Sequence, residues 1–271
     1  MVSPLLAKAA QQGREIVNVT PERAGWTHVG FRALRLKTGE TETVETGRRE
    51  LCLVVLTGTV EVVVDSQTYS HLGARDSVFA DMSPAAVYVP SGKTVTIRAE
   101  RDSEIALCTA PAGKNDNEGR SKVRVIDPAS MRRSVRGKGT NTRYICDILP
   151  HDDPTADHLL VVEVVTPASH SSSYPPHKHD VEQPPVETLL EETYYHRLNP
   201  PQGFAFQRVY TDDRSIDEAC AVEDHDVVMV PRGYHPVTAP HGYDLYYLNV
   251  MAGPNRFWVF KNDPAHEWML K

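Results

Sequence analysis

Tyr174-Pro175-Pro176-His177-Lys178-His179 is followed by Glu191-Glu192 and then by Pro231-Arg232-Gly233-Tyr234-His235. The prolines bar a helix and fix the entry into a strand. Side chains on a strand alternate with period two, so His177 and His179 share a face, and Lys178 takes the other as a solvated charge. On the next strand the same alternation places Glu192, Tyr194 and His196 on one face and Glu191, Thr193 and Tyr195 on the other. Either glutamate could join the histidines. His235 follows the Pro231-Arg232-Gly233 turn, where a strand re-enters. Three imidazoles and one carboxylate suit a single divalent first-row ion, whether Zn, Mn, Fe, Co or Ni. With twelve histidines in the chain a lone His-x-His pair says little. The pair, a strand-borne glutamate and a Pro-x-Gly turn with its histidine, all in order, say much more.

Outward from this stretch the chain reads as short strands separated by turns. In the first half they fall at 26–36, 50–56, 59–65, 86–89, 94–99 and 105–109. In the second they fall at 123–126, 142–149, 159–166, 193–198, 204–210, 227–230, 245–251 and 256–260. Regular short strands with Gly and Pro punctuation predict a mainly β protein of sandwich or barrel type. The polar stretch 113–122 is the expected linker, between an N-terminal domain over 1–112 and a C-terminal domain over 123–271. The halves look like two copies of one architecture. The segment from Gly73 to Gly92, with its Val89-Pro90-Ser91-Gly92, parallels the segment from Glu223 to Gly233. The first copy has no His-x-His pair and no histidine after its Pro-x-Gly turn, so one ion site is expected, in the second copy.

The formal charge of -7 argues against nucleic acid and anionic membranes as partners. No apolar run is long enough to span a bilayer, and the N-terminal apolar run is too short for a secretory signal. Cys52, Cys108, Cys146 and Cys220 are scattered and form no Cys-x-x-Cys pair, which fits reduced thiols in a cytoplasmic protein.

These motifs resemble the two sequence motifs of the cupin superfamily of jelly-roll barrels. More narrowly, several segments resemble the bacterial 5-deoxy-glucuronate isomerases of inositol catabolism. They are Tyr174-Pro175-Pro176-His177-Lys178-His179-Asp180, Leu190-Glu191-Glu192-Thr193-Tyr194-Tyr195-His196-Arg197, Gln202-Gly203-Phe204-Ala205-Phe206-Gln207-Arg208-Val209-Tyr210-Thr211-Asp212 and Val230-Pro231-Arg232-Gly233-Tyr234-His235-Pro236-Val237. The likeness runs on to Asp263-Pro264-Ala265-His266-Glu267-Trp268 and is densest after about Arg143. It implies a bicupin of two jelly-roll domains, the second carrying one divalent ion, Zn or Mn. A related family, the 4-deoxy-threo-hexosulose-uronate ketol-isomerases, supplies the ligand set His177, His179, Glu192 and His235. Glu191 then faces solvent or stands behind the ligands. The interval from His179 to Glu192 is longer than in common cupins, and the extra residues 181–188, rich in Pro and acid, are expected as a loop over the barrel mouth.

The resemblance implies conversion of 5-deoxy-D-glucuronate to 2-deoxy-5-keto-D-gluconate, through an enediolate or a hydride shift, as a step of myo-inositol breakdown. Lewis-acid stabilisation of the developing oxyanion serves either route. His196 and Tyr234 are the candidate catalytic side chains; the alternative is a strand-end histidine and a packing tyrosine. A carboxylate on the small-molecule substrate calls for an arginine fork. Arg208 is expected on the inward face of an apolar strand with Phe204, Phe206 and Tyr210, or else in a salt bridge with Asp212, Asp213 or Glu192. Arg143 and Tyr194 are further substrate contacts, and Arg132, Arg133, Arg136 and Lys138 form a solvated basic loop. Two rival readings stand beside the isomerase: a cupin metal oxygenase, and a sugar-acid-binding bicupin without catalysis. Edge strands of the N-terminal barrel need cover, which a homo-oligomer would provide.

Overall fold

A computed structural model describes residues 2–113 and 122–270. Only the two ends of the expected linker 113–122 are among them; 114–121 lie outside the described residues. Strands dominate, as the sequence implies. In the first half a six-stranded sheet runs in the order Arg124–Ile126, Ala85–Val89, Arg49–Thr57, Ser103–Pro111, Gly30–Leu36, Glu15–Val19. It faces a four-stranded sheet ordered Thr41–Glu45, Thr94–Ala99, Val60–Val64, Gln67–Leu72. The space between them is filled by aliphatic side chains, among them Leu34, Leu36, Leu51, Leu53, Val62 and Ile97.

The second half repeats the plan. A seven-stranded sheet runs in the order Leu6–Ala7, Val227–Val230, Glu191–Asn199, Asp244–Ala252, Leu160–Thr166, Arg143–Leu149, Arg132–Arg136. Its partner is a four-stranded sheet ordered Ser171–Ser172, Val237–Thr238, Phe204–Tyr210, Asp217–Glu223. Another apolar cluster draws on both halves, with Phe31, Cys52, Tyr88 and Cys108 from the first packed with Cys146, Tyr195, Tyr246 and Leu248 from the second. The two large sheets therefore lie back to back. Their central strands are covered on both faces, which is why Arg49–Thr57 is almost continuously buried while Val60–Val64 alternates. Each half also lends a strand across the division of the chain. Leu6–Ala7 pairs with Val227 and Val228, and Arg124–Ile126, beyond the linker, pairs with Ala86 to Tyr88.

Two carboxylates make reciprocal contacts across this contact face. Glu191 accepts the backbone N–H groups of Thr27, His28 and Val29 at 2.8, 2.7 and 3.0 Å. Glu50 accepts those of Asp157, His158 and Leu159, each at 2.7 Å. Each donor triplet leads directly into a strand of the other half, Gly30–Leu36 or Leu160–Thr166. Burial alone pushes the Glu191 carboxyl up, but the bonds from His28 and the three N–H groups outweigh it and hold it below the usual range. Arg75 adds a bidentate pair with Glu163 at 2.9 and 2.8 Å, again from one half to the other. Glu191 is thus neither solvent-facing nor behind the ligands.

Two local expectations are corrected. Residues 256–260 form no strand. Both backbone polar groups of Val259 bond Thr188 instead, at 3.0 to 3.2 Å, so the segment runs extended without a ladder. The basic run is not a loop either: Arg132–Arg136 is the edge strand of the large sheet, with Arg132 paired to Asp147 at 2.7 Å. Charged side chains are one way an edge strand is kept from pairing with other chains.

Removing either staple should loosen the contact between halves. Glu191→Ala leaves three N–H groups without acceptors, so unfolding free energy should fall by about 3 kcal/mol, and Glu50→Ala should cost about as much. Urea denaturation checks this; a loss below about 1 kcal/mol in both variants contradicts it.

Candidate metal centre

His177 opens the two-residue strand His177–Lys178, which pairs with Lys261–Asn262. Glu192 and Tyr194 lie on the long strand Glu191–Asn199, opposite Met251 and Asn249 of the neighbouring strand. One ligand nitrogen from each of His177, His179 and His235 falls within 4.8 Å of the others. Alternation settles which glutamate joins them. Glu191 points to the first half, while Glu192 Oε2 lies 3.1 Å from His179 Nε2 and 3.3 Å from His235 Nε2.

The rings are oriented by backbone carbonyls. His179 Nδ1 donates to Leu190 at 3.1 Å and His235 Nδ1 to Gly233 at 2.8 Å, and the His177 ring bonds the Pro175 carbonyl. With Nδ1 as the donor, the neutral ring of His235 carries its lone pair on Nε2, which faces Glu192. The buried His235 Nε2 has no hydrogen-bond partner. A lone pair beside a carboxylate oxygen in a buried site is the arrangement a cation between them would satisfy. Burial, with the neighbouring histidines and Arg143, pushes His177 well below its ordinary value. Burial takes His235 down to about 4. For His179 burial acts in the same direction, but the hydrogen bond to Glu192 wins and raises it. Two imidazoles are therefore neutral at physiological pH, the form that binds metal. The donor set fits one divalent ion.

Lys178 is buried rather than solvated, which corrects the sequence reading. Its Nζ lies 2.9 Å from Asp180 and 3.0 Å from Asp212. Asp180 in turn accepts the Gly233 N–H at 2.8 Å, and Tyr234 donates to Asp212 at 2.9 Å. This network ties the His-x-His segment to the turn that carries His235.

A cavity opens beside the cluster. His177, Glu192, Tyr194 and Asn249 line it beside the cluster; Arg143 and Arg136 line it from the strands at the other side of the large sheet; Tyr247, Ile145, Val162, Val164, Ser172, Ser173, Trp258 and Phe260 complete the wall. Residues 181–188 do not line it, whereas Trp258 and Phe260 from the C-terminal segment do. Arg143 bonds only the Asn141 backbone and side-chain oxygens, at 3.0 and 3.1 Å, and has no carboxylate partner among the described residues. Burial weakens its hold on the proton, as does nearby Arg136, yet a guanidinium stays charged at neutral pH. Burial pushes the Tyr194 and Tyr247 phenols up, so both keep their protons.

The other sequence candidates sit elsewhere. Arg208 is exposed and forks onto Asp217 at 2.7 and 2.8 Å. The expected inward face of its strand is the outward one; Ala205, Gln207 and Val209 point in. His196 is buried behind Tyr194, with Nε2 3.0 Å from Gln207 Oε1, and does not line the cavity. Burial takes its pKa down to about 4. Tyr234 faces the Lys178 network and not the cavity. Sequence reasoning missed Asn249, whose Nδ2 donates to Glu192 Oε1 at 2.6 Å, and Tyr247. The signal was present: both share one face of an otherwise apolar strand, where a buried amide needs a reason.

Two back-to-back sandwiches, with a three-histidine, one-carboxylate cluster in the second, define a bicupin. The same fold is found in oxalate decarboxylase of Bacillus subtilis, with a TM-score of 0.66 over 97% of this chain and 80% of that one, at 13% identity. The chain belongs to the KduI/IolB family, whose model matches residues 5–269. It is 50% identical to the 5-deoxy-glucuronate isomerase of Geobacillus thermodenitrificans, over 94% of this chain and 91% of that protein. It is 47% identical to the protein of that name from Bacillus subtilis strain 168, over 93% and 92%. The crystal structure of an IolB-like protein from Salmonella typhimurium superposes with a TM-score of 0.94 at 46% identity, covering 98% and 99% of the two chains.

Asn249→Ala frees Glu192 to turn, so divalent-metal affinity should drop about ten- to a hundred-fold. Chelator competition measures this; an unchanged affinity would show that Asn249 does not orient the carboxylate.

Proposed function

We propose that this chain is an aldose–ketose isomerase that converts 5-deoxy-D-glucuronate to 2-deoxy-5-keto-D-gluconate, as a step of myo-inositol breakdown. The observation that carries the proposal is the cavity itself. It has a histidine–glutamate cluster at one side and, at the other, arginines without carboxylate partners among the described residues, in a chain half identical to a named isomerase of this substrate. His177, His179, Glu192 and His235 are the ligands of one divalent ion, Zn or Mn.

The reaction is redox-neutral. One hydrogen moves from C2 to C1 and one proton from the C2 hydroxyl to the C1 oxygen, so the aldehyde becomes a primary alcohol and C2 a ketone. An ion held by these four side chains would supply Lewis acidity to the reacting end of the substrate. Arg143, with Arg136 beside it, binds the substrate carboxylate and fixes which end of the sugar acid meets the cluster. Tyr194 and Tyr247 keep their protons and so offer hydrogen bonds to hydroxyl oxygens. Trp258 and Phe260 close the wall against water. Arg208, His196 and Tyr234 touch no substrate in this reading.

The N-terminal barrel is a structural partner, filled by its own aliphatic core. We place the enzyme in the cytoplasm. All four cysteines are free and buried, and among the described residues no helix is long and apolar enough to cross a membrane.

Proton NMR of 5-deoxy-D-glucuronate under anaerobic conditions tests the assignment. The aldehyde signal should convert to ketose with the metal-loaded protein, stop after chelation and return when metal is restored. Failure of the loaded protein sinks the proposal, and a requirement for oxygen would turn it toward an oxygenase. Arg143→Ala should raise KM about thirty-fold with a smaller effect on kcat, from the loss of a charge-assisted contact. Arg208→Ala should leave both constants unchanged. The reverse pattern would restore Arg208 as the carboxylate partner.

A further inference from the structure

We infer that Ile145, Val162 and Val164 form the surface that selects a sugar acid lacking a hydroxyl at C5. The inference rests on the isomerase reading above and assigns a specificity role within the same cavity.

Strand register gives the layout of the wall. Tyr194 stands opposite Asn249, and Asn249 opposite Val162. Tyr247 stands opposite Val164, and Val164 opposite Ile145. Arg143 precedes Ile145 by two residues on the same face and pairs with Arg136. Across four neighbouring strands and the edge strand beyond them, the wall thus changes from polar to aliphatic to cationic. The three aliphatic side chains keep 4 to 6% exposure, while Val161, which points the other way, has 0%.

The proposed substrate has its functional groups in the same order. The aldehyde and C2 hydroxyl lie at the histidine–glutamate end and the C6 carboxylate at the arginines. C5 is bonded to the carboxylate carbon, so it falls next to the arginine end, where Ile145 and Val164 face it. A methylene there meets aliphatic carbon. A hydroxyl there would lose its water and find neither donor nor acceptor on these three side chains, which is costly for a polar group. The hydroxyls of Ser172 and Ser173 are already engaged with Tyr247 and Tyr194.

The test compares kcat/KM for 5-deoxy-D-glucuronate and D-glucuronate in the metal-loaded wild type, Val164→Thr and Ile145→Thr. D-Glucuronate closes through its C5 oxygen into a six-membered ring, so the decisive readout is the change in the ratio between wild type and variant. The wild type should favour the 5-deoxy substrate by about a hundred-fold. Each threonine should cut that preference about ten-fold, chiefly by raising activity on D-glucuronate. Equal use of both substrates by the wild type overturns the inference, and needs no variant to fold. So does an unchanged ratio in variants that still turn over the 5-deoxy substrate. Those failures leave the isomerase reading intact. A wild type that turns over neither compound overturns that reading, and this inference with it.

Discussion

The strand Glu191–Asn199 has to serve two faces at once. Odd positions look toward the other half of the chain. There Glu191 holds three N–H groups, and Tyr195 and Arg197 bond Glu104 at 2.6 and 2.7 Å. Even positions look into the barrel, where Glu192 meets the histidines and Tyr194 lines the cavity. A slip of one residue exchanges the two sets. It would point Glu192 at the backbone of the first half and Glu191 at the imidazoles. The contact between halves therefore fixes the register on which the site depends, although it contributes no ligand.

A buried carboxylate among three imidazoles is expensive to desolvate, and its neighbours show how that cost is offset. Glu192 has an amide on one oxygen and ring nitrogens around the other. The rings hand their second nitrogen to backbone carbonyls, so each keeps one orientation. Behind them, Lys178, Asp180 and Asp212 hold the His-x-His segment against the turn that presents His235. The two histidine-bearing segments lie more than fifty residues apart in sequence, and the hydrogen bond from the Gly233 N–H to Asp180, itself paired with Lys178, keeps them in step.

What was legible in the sequence follows the reach of local periodicity. His177, His179 and His235 stand out because period two and a Pro-x-Gly turn are local signals, whereas periodicity leaves Glu191 and Glu192 open and only the family resemblance favours Glu192. Arg208 was misread because Phe204 and Phe206 were taken to mark a core face; both are exposed, and the strand buries Ala205, Gln207 and Val209 instead. The composition of a face does not say whether another sheet covers it. Lys178 reads as solvated because alternation alone does not say that its face is covered; in the fold it is buried against Asp180, two residues on, and Asp212, distant in sequence. Arg132–Arg136 looked like a loop because charge density at a sheet edge and in a loop are alike in composition. Arg143, ranked below Arg208 from sequence, is the cation that lines the cavity.

The two barrels differ most in what fills them. In the first, Leu34, Leu36, Leu51, Leu53 and Ile97 meet across the space between the sheets. In the second, the corresponding space admits Glu192, Tyr194, Tyr247 and Asn249, and with them a cavity. Their contacts to one another are nonetheless matched, since Glu50 does for Asp157 to Leu159 what Glu191 does for Thr27 to Val29. Both barrels have an apolar core of their own, the second with Leu198, Val209, Val228, Leu245 and Met251 beside its polar groups, and dense packing resists deformation. Setting the second against the first, through matched carboxylates and a shared apolar layer, gives the barrel that holds the cavity a fixed back. The half without the histidine cluster thereby bears on the cavity through the strand that carries Glu192.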